Sequence, residues 1–110
     1  MNNKFHTLYI YMHTITELIQ KINTAVKDIQ YNTEPKKLYD PIRYILSIGG
    51  KRIRPLLMLM GYNLYRDDVD PIINNALALE TYHNFTLLHD DLMDKSDMRR
   101  GNPTVHKKWN

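Results

Sequence analysis

The stretch PIINNALALETYHNFTLLHDDLMDKSDMRRG, residues 71–101, contains the longest helical pattern of the chain and its densest group of charges. Aspartate followed by proline at positions 70 and 71 is typical of an N-cap and a first helical position, so a helix is predicted from residue 71. The pattern continues to about Asp94. At about 100° per residue, side chains spaced by four, three and four residues form one stripe along this helix. They are His83, Leu87, Asp90 and Asp94, with Asp91 beside them.

Shorter helical patterns precede this helix. The predicted helices cover residues 8–29, 42–48, 55–65 and 71–94, from apolar residues at spacings of three and four. The segment around Pro35, residues 32–37, interrupts the pattern. Asp40 and Pro41 repeat the N-cap signal before the second helix, and Pro55 opens the third. No segment alternates with period two over a useful length, so we predict an all-α fold.

The composition indicates one ordinary globular domain. The chain has 110 residues, 43% of them hydrophobic and 25% charged, and no cysteine. A chain of this length holds at most one domain with a modest core. The lack of cysteine excludes a disulfide scaffold and a thiolate zinc site, and it suits a reducing cytoplasm, where we expect the protein. A net charge of +3 is too small to indicate nucleic acid binding. No apolar run approaches the roughly 20 residues that cross a bilayer, so no transmembrane segment is predicted.

The aspartates at the end of the long helix are unfavourable for a purely structural role. Aspartate is a weak helix former, like charges four residues apart cost about 0.2–0.5 kcal/mol, and anions near a helix C-terminus cost about 0.3–1 kcal/mol. One interpretation is an acidic helix end in water. The other is a hard-cation site, because magnesium commonly binds one or two carboxylates together with substrate phosphates and several waters. Asp90 and Asp94, one helical turn apart, supply such a partial coordination shell, so we predict a Mg2+ site here.

The spacing of these residues excludes one other metal site and leaves another open. A calcium EF-hand loop needs oxygen ligands at every second position and a glycine at the sixth, whereas Asp91, Asp94 and Asp97 are spaced by three. The His89-Asp90 pair is similar to the ligand pair of HD-type metal phosphohydrolases. No further ligands stand out for it, so that function is a minor alternative.

A second charged group, GGKRIRP at residues 49–55, precedes the long helix. Its glycines let the backbone approach a ligand closely, and Lys51, Arg52 and Arg54 supply dense positive charge. Pro55 begins a helix whose N-terminal dipole also favours anions. These features predict an anion site, but a helix end followed by a solvated basic turn has the same composition. The P-loop spacing of glycines before Lys-Ser or Lys-Thr is missing.

These stretches, in this order, resemble the polyprenyl synthetase family. The shared features are GGKRIRP, His83 six residues before His89, DDLMD as the family's first aspartate-rich motif DDxxD, and the following RRG. The family comprises the trans-isoprenyl diphosphate synthases, among them farnesyl and geranylgeranyl diphosphate synthases. The resemblance covers about residues 42–106 and implies that residues 1–110 form the N-terminal part of one polyprenyl synthetase domain. The fold it implies is an incomplete helical bundle of the isoprenoid-synthase type.

The resemblance also implies roles for individual residues. Asp90, Asp91 and Asp94 would be the catalytic metal ligands, holding the magnesium ions that bind the diphosphate of the allylic substrate. Arg99 would contact that same diphosphate. The diphosphate of the second substrate, isopentenyl diphosphate, would be bound by Gly50, Lys51, Arg54, His83 and Arg100, with Arg52 a less certain member. The reaction would be the magnesium-dependent head-to-tail condensation of these two small-molecule substrates.

Product length and assembly follow from the same resemblance. Phe85 and Thr86 stand five and four positions before the first aspartate, where this family commonly sets the floor of the product tunnel. The aromatic ring implies a short product of the farnesyl or geranylgeranyl class. The family also needs a second aspartate-rich motif, which these 110 residues lack. We therefore expect the chain alone to be inactive and to self-associate, as a homodimer or otherwise, through uncovered apolar faces. A non-catalytic prenyltransferase-like partner or a structural helical module is the main alternative, and no loss within the motifs favours it.

Overall fold

The computed structural model describes residues 11–29 and 34–109, and these residues form a helical fold. In chain order its elements are α1 (Ile15–Asp28), α2 (Lys36–Ser47), α3 (Ile53–Asn63), α4 (Ile73–Asp94), β1 (Met98–Arg99), β2 (Asn102–Pro103) and α5 (Val105–Lys108). A 3-10 turn at Asp70–Ile72 precedes α4. The predicted all-α fold is confirmed, with one short antiparallel strand pair added after the longest helix. None of the described helices is long and apolar enough to cross a membrane.

The core lies where α1, α3 and α4 meet. Its buried apolar side chains come from these helices and from the loop before α4: Leu18, Ile22, Leu56, Leu59, Val69 and Ala76. Burial of a large aliphatic side chain contributes about 1.5–3 kcal/mol. Ala76, in the first turn of α4, is the member of this core that α4 supplies. The core therefore holds α1 and α3 against the beginning of α4, and the rest of α4 is held by other contacts.

The first helix begins later than the sequence pattern predicts. Residues 11–14 are not helical, and the part of the predicted helix before residue 11 lies outside the described residues. The hydroxyl of Thr14 accepts the amide of Glu17 at 3.1 Å, and the carboxylate of Glu17 accepts the amide of Thr14 at 2.7 Å. This capping box satisfies two amides that a helix start leaves unpaired. The bond from the Thr14 amide also lowers the pKa of Glu17.

The predicted start of α2 is wrong. The helix begins at Lys36, directly after Pro35, so Pro41 lies inside it. Pro41 lacks an amide hydrogen and removes one bond from the helix ladder. Asp40 does not cap the helix, and its carboxylate instead pairs with Arg43, one turn later, at 3.4 Å. The proline that precedes α2 is therefore Pro35 and not Pro41. The sequence pattern placed Pro35 in the break between the first two helices.

The predicted starts of α3 and α4 differ from the observed starts by two residues each. α3 begins at Ile53, with Pro55 in its first turn. This position suits proline because the first amides of a helix have no acceptor. Asp70 lies in the 3-10 turn before α4 and pairs with Lys21 of α1 at 2.9 Å, so it does not cap α4. The predicted end of α4 at Asp94 is confirmed.

The end of α3 is fixed by a buried asparagine that the sequence pattern did not single out. Asn63 donates through Nδ2 to the carbonyl oxygens of Tyr11 and Arg66, at 2.8 and 2.9 Å. Its Oδ1 accepts the amide of His13 at 2.9 Å. These bonds join the segment before α1 to the turn after α3. The helix therefore ends at residue 63, two residues before its predicted limit.

Candidate active site

Helix α4 buries polar side chains on its inner face beyond the core. Glu80, Asn84 and Asp91 are between 1% and 3% exposed, and their spacings of four and seven residues place them on one side of the helix. The opposite side carries exposed apolar groups: Tyr82, Phe85, Leu92 and Met93. A surface helix normally turns its apolar side inward. The inner face of α4 therefore contacts charged and polar side chains from other segments. These side chains include residues predicted to bind substrate.

The first of these partners is Arg52, whose guanidinium forms a buried ion pair with Glu80. Arg52 Nη1 lies 2.7 Å from Glu80 Oε2, and both side chains are almost fully buried. Its Nη2 donates to the carbonyl of Leu46 at 2.8 Å, and its Nε donates to Asn23 Oδ1 at 3.2 Å. Every nitrogen of this guanidinium is thus engaged within the chain. Arg52 is held inside the protein, unlike Lys51 and the other basic residues of its segment.

The second partner is Arg100, whose guanidinium lies against the glycine pair after α2. Its Nη1 donates to the carbonyl of Gly49 and lies 3.5 Å from Asn84 Oδ1. A Cβ atom at Gly50 would be 2.9 Å from the Cζ atom of Arg100, and Gly50 has a φ of +139°. The positive φ favours glycine at this position, and a methyl group there would require the guanidinium of Arg100 to move. Burial lowers the pKa of Arg100, an effect opposed by the nearby carboxylate of Glu80.

Arg100 reaches this position from the turn of a hairpin. β1 and β2 pair antiparallel, and the residues between them, Arg100 and Gly101, have φ angles of 52° and 79°. Two positive φ angles in a two-residue loop match a type I′ turn. Thr104 closes the hairpin by donating its hydroxyl to the carbonyl of Ser96 at 2.8 Å. This hairpin was not predicted from the sequence, where Gly101 is the signal for it.

Arg54 and His83 are brought together from α3 and α4. Arg54 Nη1 lies 3.2 Å from His83 Nε2. The pKa of His83 is lowered, first by burial and then by the positive charge of Arg54. Neutral His83 accepts a hydrogen bond from Arg54 through Nε2, and Nδ1 then carries the ring proton. Lys51 is exposed in the preceding loop, without a hydrogen bond or ion pair to any residue of 11–29 or 34–109.

The three aspartates of DDLMD differ in their surroundings. Asp91 is buried and accepts two bonds from Arg99, with Nε at 2.7 Å from Oδ2 and Nη2 at 2.8 Å from Oδ1. The bond to Asp91 raises the pKa of Arg99. Asp90 and Asp94 are exposed and form no hydrogen bond or ion pair with the described part of the chain. Two carboxylates one turn apart are thus open to a ligand, while the carboxylate of Asp91 orients Arg99.

The described residues contain no group of three histidine, cysteine, aspartate or glutamate side chains close enough to hold a metal ion by themselves. Two open carboxylates fit a magnesium ion that completes its coordination with water and substrate phosphate. The surroundings of the two histidines fit the HD-type alternative poorly. His83 is bonded to Arg54, and the ring of His89 contacts the ring of Phe85 edge-on, with centroids 4.5 Å apart.

The two residues predicted to set product length lie on different sides of α4. Thr86 is partly buried and donates its hydroxyl to the carbonyl of His83 at 2.6 Å. Phe85 is 51% exposed and lies between the rings of Tyr82 and His89, with centroids at 6.1 and 4.5 Å. Phe85 thus belongs to a row of rings on the outer face of the helix.

Sequence reasoning missed two buried polar residues of the site, Glu80 and Asn84. Both lie on the inner face of α4, four residues apart, and Asn84 donates through Nδ2 to the carbonyl of Glu80 at 2.8 Å. The available signal was their spacing: Glu80 and Asn84 follow the apolar Ala76 at intervals of four residues and therefore lie on the same face of the helix. This spacing alone does not indicate their partners, which lie on the hairpin and on the loop before α3.

Comparisons with known proteins show the family of this chain. The family model for polyprenyl synthetase matches residues 35–110. The chain belongs to the polyprenyl synthetase family. It is 46% identical over 89 residues to the short chain isoprenyl diphosphate synthase of Methanocaldococcus jannaschii, a match that covers 81% of this chain and 27% of that protein. It is 40% identical over 88 residues to the geranylgeranyl diphosphate synthase of Methanosarcina mazei, covering 80% of this chain and 27% of that one.

Solved structures give the same result for this polyprenyl synthetase family member. A crystal structure of a geranylgeranyl pyrophosphate synthase superposes with a TM-score of 0.83 at 51% identity, covering 89% of this chain and 30% of the other. The geranylgeranyl pyrophosphate synthetase of Geoglobus acetivorans superposes with a TM-score of 0.80 at 39% identity. The chain spans about three tenths of the length of these relatives. The helical fold implied by the resemblance is therefore confirmed for this part.

The contact between Gly50 and Arg100 predicts a large difference between two glycine substitutions. Gly50→Ala should lower the free energy of unfolding by about 1–3 kcal/mol, because the methyl group meets the guanidinium and the backbone is strained. Gly61→Ala is the matched control, since a Cβ there meets nothing within 4 Å. In a helix interior it should raise the free energy of unfolding by about 0.5–1 kcal/mol. Urea denaturation followed by circular dichroism measures both, and equal values for the two variants would contradict the described contact.

The contact between Arg54 and His83 predicts how His83 titrates. Its pKa in the folded chain lies below the ordinary value, so folding favours the neutral ring. The associated stability is present above the pKa of unfolded histidine and is lost as the pH falls through the lower folded pKa. Arg54→Met should raise the pKa of His83 toward its ordinary value, measured by NMR titration of the ring protons. Arg43→Met, which removes a cation paired with Asp40 on α2, should leave it unchanged. A pKa insensitive to Arg54 would show that the two side chains are apart in solution.

Proposed function

We propose that this chain is part of a prenyltransferase that condenses isopentenyl diphosphate with an allylic diphosphate, head to tail and with magnesium. The observation that carries the proposal is the pair of open carboxylates, Asp90 and Asp94, at the end of α4, with Arg99 of the following hairpin bound to Asp91 beside them. The bond from Arg99 to Asp91 raises the pKa of Arg99, and the charge of Asp90 adds to this effect. Burial lowers the pKa of His83 and of Arg100, and the positive charge of Arg99 adds to this lowering. The similar proteins, an isoprenyl and a geranylgeranyl diphosphate synthase, support the same chemistry.

The allylic diphosphate is proposed to bind at the carboxylate end of α4. Asp90 and Asp94 would hold magnesium there, and Arg99, oriented by both oxygens of Asp91, would donate to the diphosphate directly. Magnesium, when bound, stabilises the negative charge of the departing pyrophosphate as the allylic bond ionises. Asp91 contributes to this site by fixing Arg99, which differs from the direct metal ligation expected from the sequence.

Isopentenyl diphosphate is proposed to bind at a neighbouring set of groups, the basic cluster, which consists of Lys51, Arg54, His83 and Arg100 around Gly50. Arg54 and His83 are already in contact, and Arg100 lies against the glycine pair. Lys51 is exposed and has its ammonium group available to an anion. Two separate cationic sites are needed because each substrate carries several negative charges, and like charges at close range repel strongly. The double bond of isopentenyl diphosphate would then attack the allylic cation, and the new cation would lose a proton to give the longer prenyl diphosphate.

Several expectations from the sequence stay predictions. They are the inactivity of these 110 residues by themselves, the homodimer or other self-association, and the cytoplasmic location. The exposed apolar side of α4 supports self-association, because contiguous apolar patches on a surface commonly mark interaction sites. A non-catalytic helical partner remains the competing function, and activity of a complete enzyme carrying this segment decides between them.

A chimera tests the proposed reaction. Residues 35–109 would replace the matching segment of the Methanocaldococcus jannaschii enzyme, and formation of prenyl diphosphate would be measured with magnesium present. Asp90→Asn and Asp94→Asn should each lower kcat by orders of magnitude, because a neutral amide binds magnesium poorly. Asp97→Asn is the control, since this exposed aspartate pairs only with Lys107 among the described ion pairs and should leave kcat unchanged. Near-normal activity of both DDLMD variants, in a folded chimera, would remove the proposed magnesium site.

We further propose a short product, of the farnesyl or geranylgeranyl class, because the ring of Phe85 occupies space beside α4. In the same chimera, Phe85→Ala removes the ring and should shift the products toward longer chains. Tyr82→Ala is the matched control: it removes a neighbouring ring, 65% exposed and 6.1 Å from Phe85, one turn farther from Asp90. Chromatography of the dephosphorylated products measures chain length. Identical products from the parent chimera and Phe85→Ala would assign Phe85 to packing alone.

A further inference from the structure

The buried pair Arg52 and Glu80 joins α1, the end of α2, the glycine loop and α4 beside the basic cluster. Arg52 itself ends the glycine loop, and its guanidinium donates to the last turn of α2 at Leu46, to α1 at Asn23 and to α4 at Glu80. The loop from residue 48 to residue 51 is therefore held at both ends by one side chain. The φ of Arg52 is 55°, in the left-handed region, so its bonds hold a conformation that non-glycine residues seldom adopt.

A second series of bonds returns from Glu80 to the same loop. The carbonyl of Glu80 accepts Nδ2 of Asn84 at 2.8 Å, and Asn84 Oδ1 lies 3.5 Å from Arg100 Nη1. That nitrogen also donates to the carbonyl of Gly49. The glycine loop is thus held from two directions: Arg52 binds Leu46, Asn23 and Glu80, and Arg100, beside Asn84 of α4, donates to Gly49. A shift of Arg52 therefore moves the loop relative to Arg100.

The charge of Glu80 is unfavourable for anion binding if nothing else is considered. Burial lowers the pKa of Arg100 and of His83, and the negative charge of Glu80 opposes this lowering for both. A carboxylate near a set of cations lowers their attraction for a diphosphate. Its presence, fully buried at 2% exposure, needs a structural reason. That reason is the bond to Arg52, because a buried guanidinium without a counterion is strongly destabilising.

We propose that Arg52 and Glu80 are positioning residues for the diphosphate site formed by the basic cluster: they do not touch the diphosphate, and they hold the glycine loop and Arg100 where both can. This inference rests on the proposed function. It also reassigns Arg52, which the sequence analysis included as a less certain ligand. The alternative is that the pair serves folding alone, and the two alternatives predict different affinities for an anion.

Binding of inorganic pyrophosphate to the 110-residue chain, measured by isothermal titration calorimetry, tests the inference, because every member of the basic cluster lies within this chain. Glu80→Ala adds one net positive charge, so electrostatics alone predicts tighter binding. Displacement of Arg52 and the loop predicts the opposite, a dissociation constant raised about tenfold. Binding that is unchanged or tighter in folded Glu80→Ala overturns the proposal.

A charge-neutral variant makes the test independent of net charge. Arg52→Met with Glu80→Leu replaces the buried ion pair by apolar side chains, which commonly keeps a protein stable. The carbonyl of Leu46 and the side-chain oxygen of Asn23 then lose their donor, and the glycine loop loses the bonds that hold it. We therefore expect the dissociation constant for pyrophosphate to rise about tenfold at unchanged net charge. Wild-type affinity in a stable double variant overturns the proposal.

Controls separate positioning from general loss of stability and from failure of the proposed site. Ile22→Val removes one methylene from the core on α1, should cost about 0.5–1.5 kcal/mol and should leave the dissociation constant unchanged. Circular dichroism reports folding for each variant, and if neither pair variant folds, the pair is a folding element and the proposal is wrong. If the wild-type chain does not bind pyrophosphate, the proposed function of the basic cluster fails. If the wild-type chain binds and the pair variants bind equally well, the positioning role alone fails.

Discussion

The opposite charges of Arg52 and Glu80 stand 2.7 Å apart in the interior, between α1, the end of α2 and α4. Removing two charges from water costs several kcal/mol per ion, and their attraction offsets this only when the remaining polar atoms are also bonded. Leu46 and Asn23 supply those bonds, and no buried side-chain nitrogen or oxygen of the described residues lacks a partner. A rearrangement that separated the two side chains would leave a buried charge uncompensated, which is strongly destabilising.

That constraint explains the unusual pattern of α4. The helix packs against the apolar core only at its beginning, through Ala76, and then continues with Glu80, Asn84 and Asp91 on its buried side. Each of these finds a partner from another segment: Arg52, Arg100 and Arg99, respectively. The hydrophobic effect thus places the helix, and specific polar contacts set what its second half faces. The apolar groups on the outer side remain exposed in this part of the domain.

The same contacts divide the charged residues into those that are committed within the chain and those that are open. Arg52 and Asp91 use their bonding capacity on partners inside the protein, whereas Lys51, Asp90 and Asp94 have no such partner in the described ranges. A diphosphate or a cation can bind groups of the second kind without breaking existing bonds, and Arg54, Arg99 and Arg100 each keep unbonded N–H groups that an anion can also use. Backbone strain occurs in the same region, because Arg52 and Arg100 both have positive φ angles. Strain of this kind is maintained only where surrounding contacts determine the conformation.

The sequence by itself determined the fold class, the family and the end of α4, because periodic apolar residues and the ordered motifs GGKRIRP, DDLMD and RRG are local features. It also determined which residue types are present for binding. Only the tertiary structure decided their use: Asp91 binds Arg99, Arg52 is buried against Glu80, and Asp70 pairs with Lys21 where a cap was predicted. The physical reason is that an ionised side chain binds whichever opposite charge the fold brings within about 3–4 Å. For Asp91, Glu80 and Asp70 that partner is between 8 and 49 residues away in the chain.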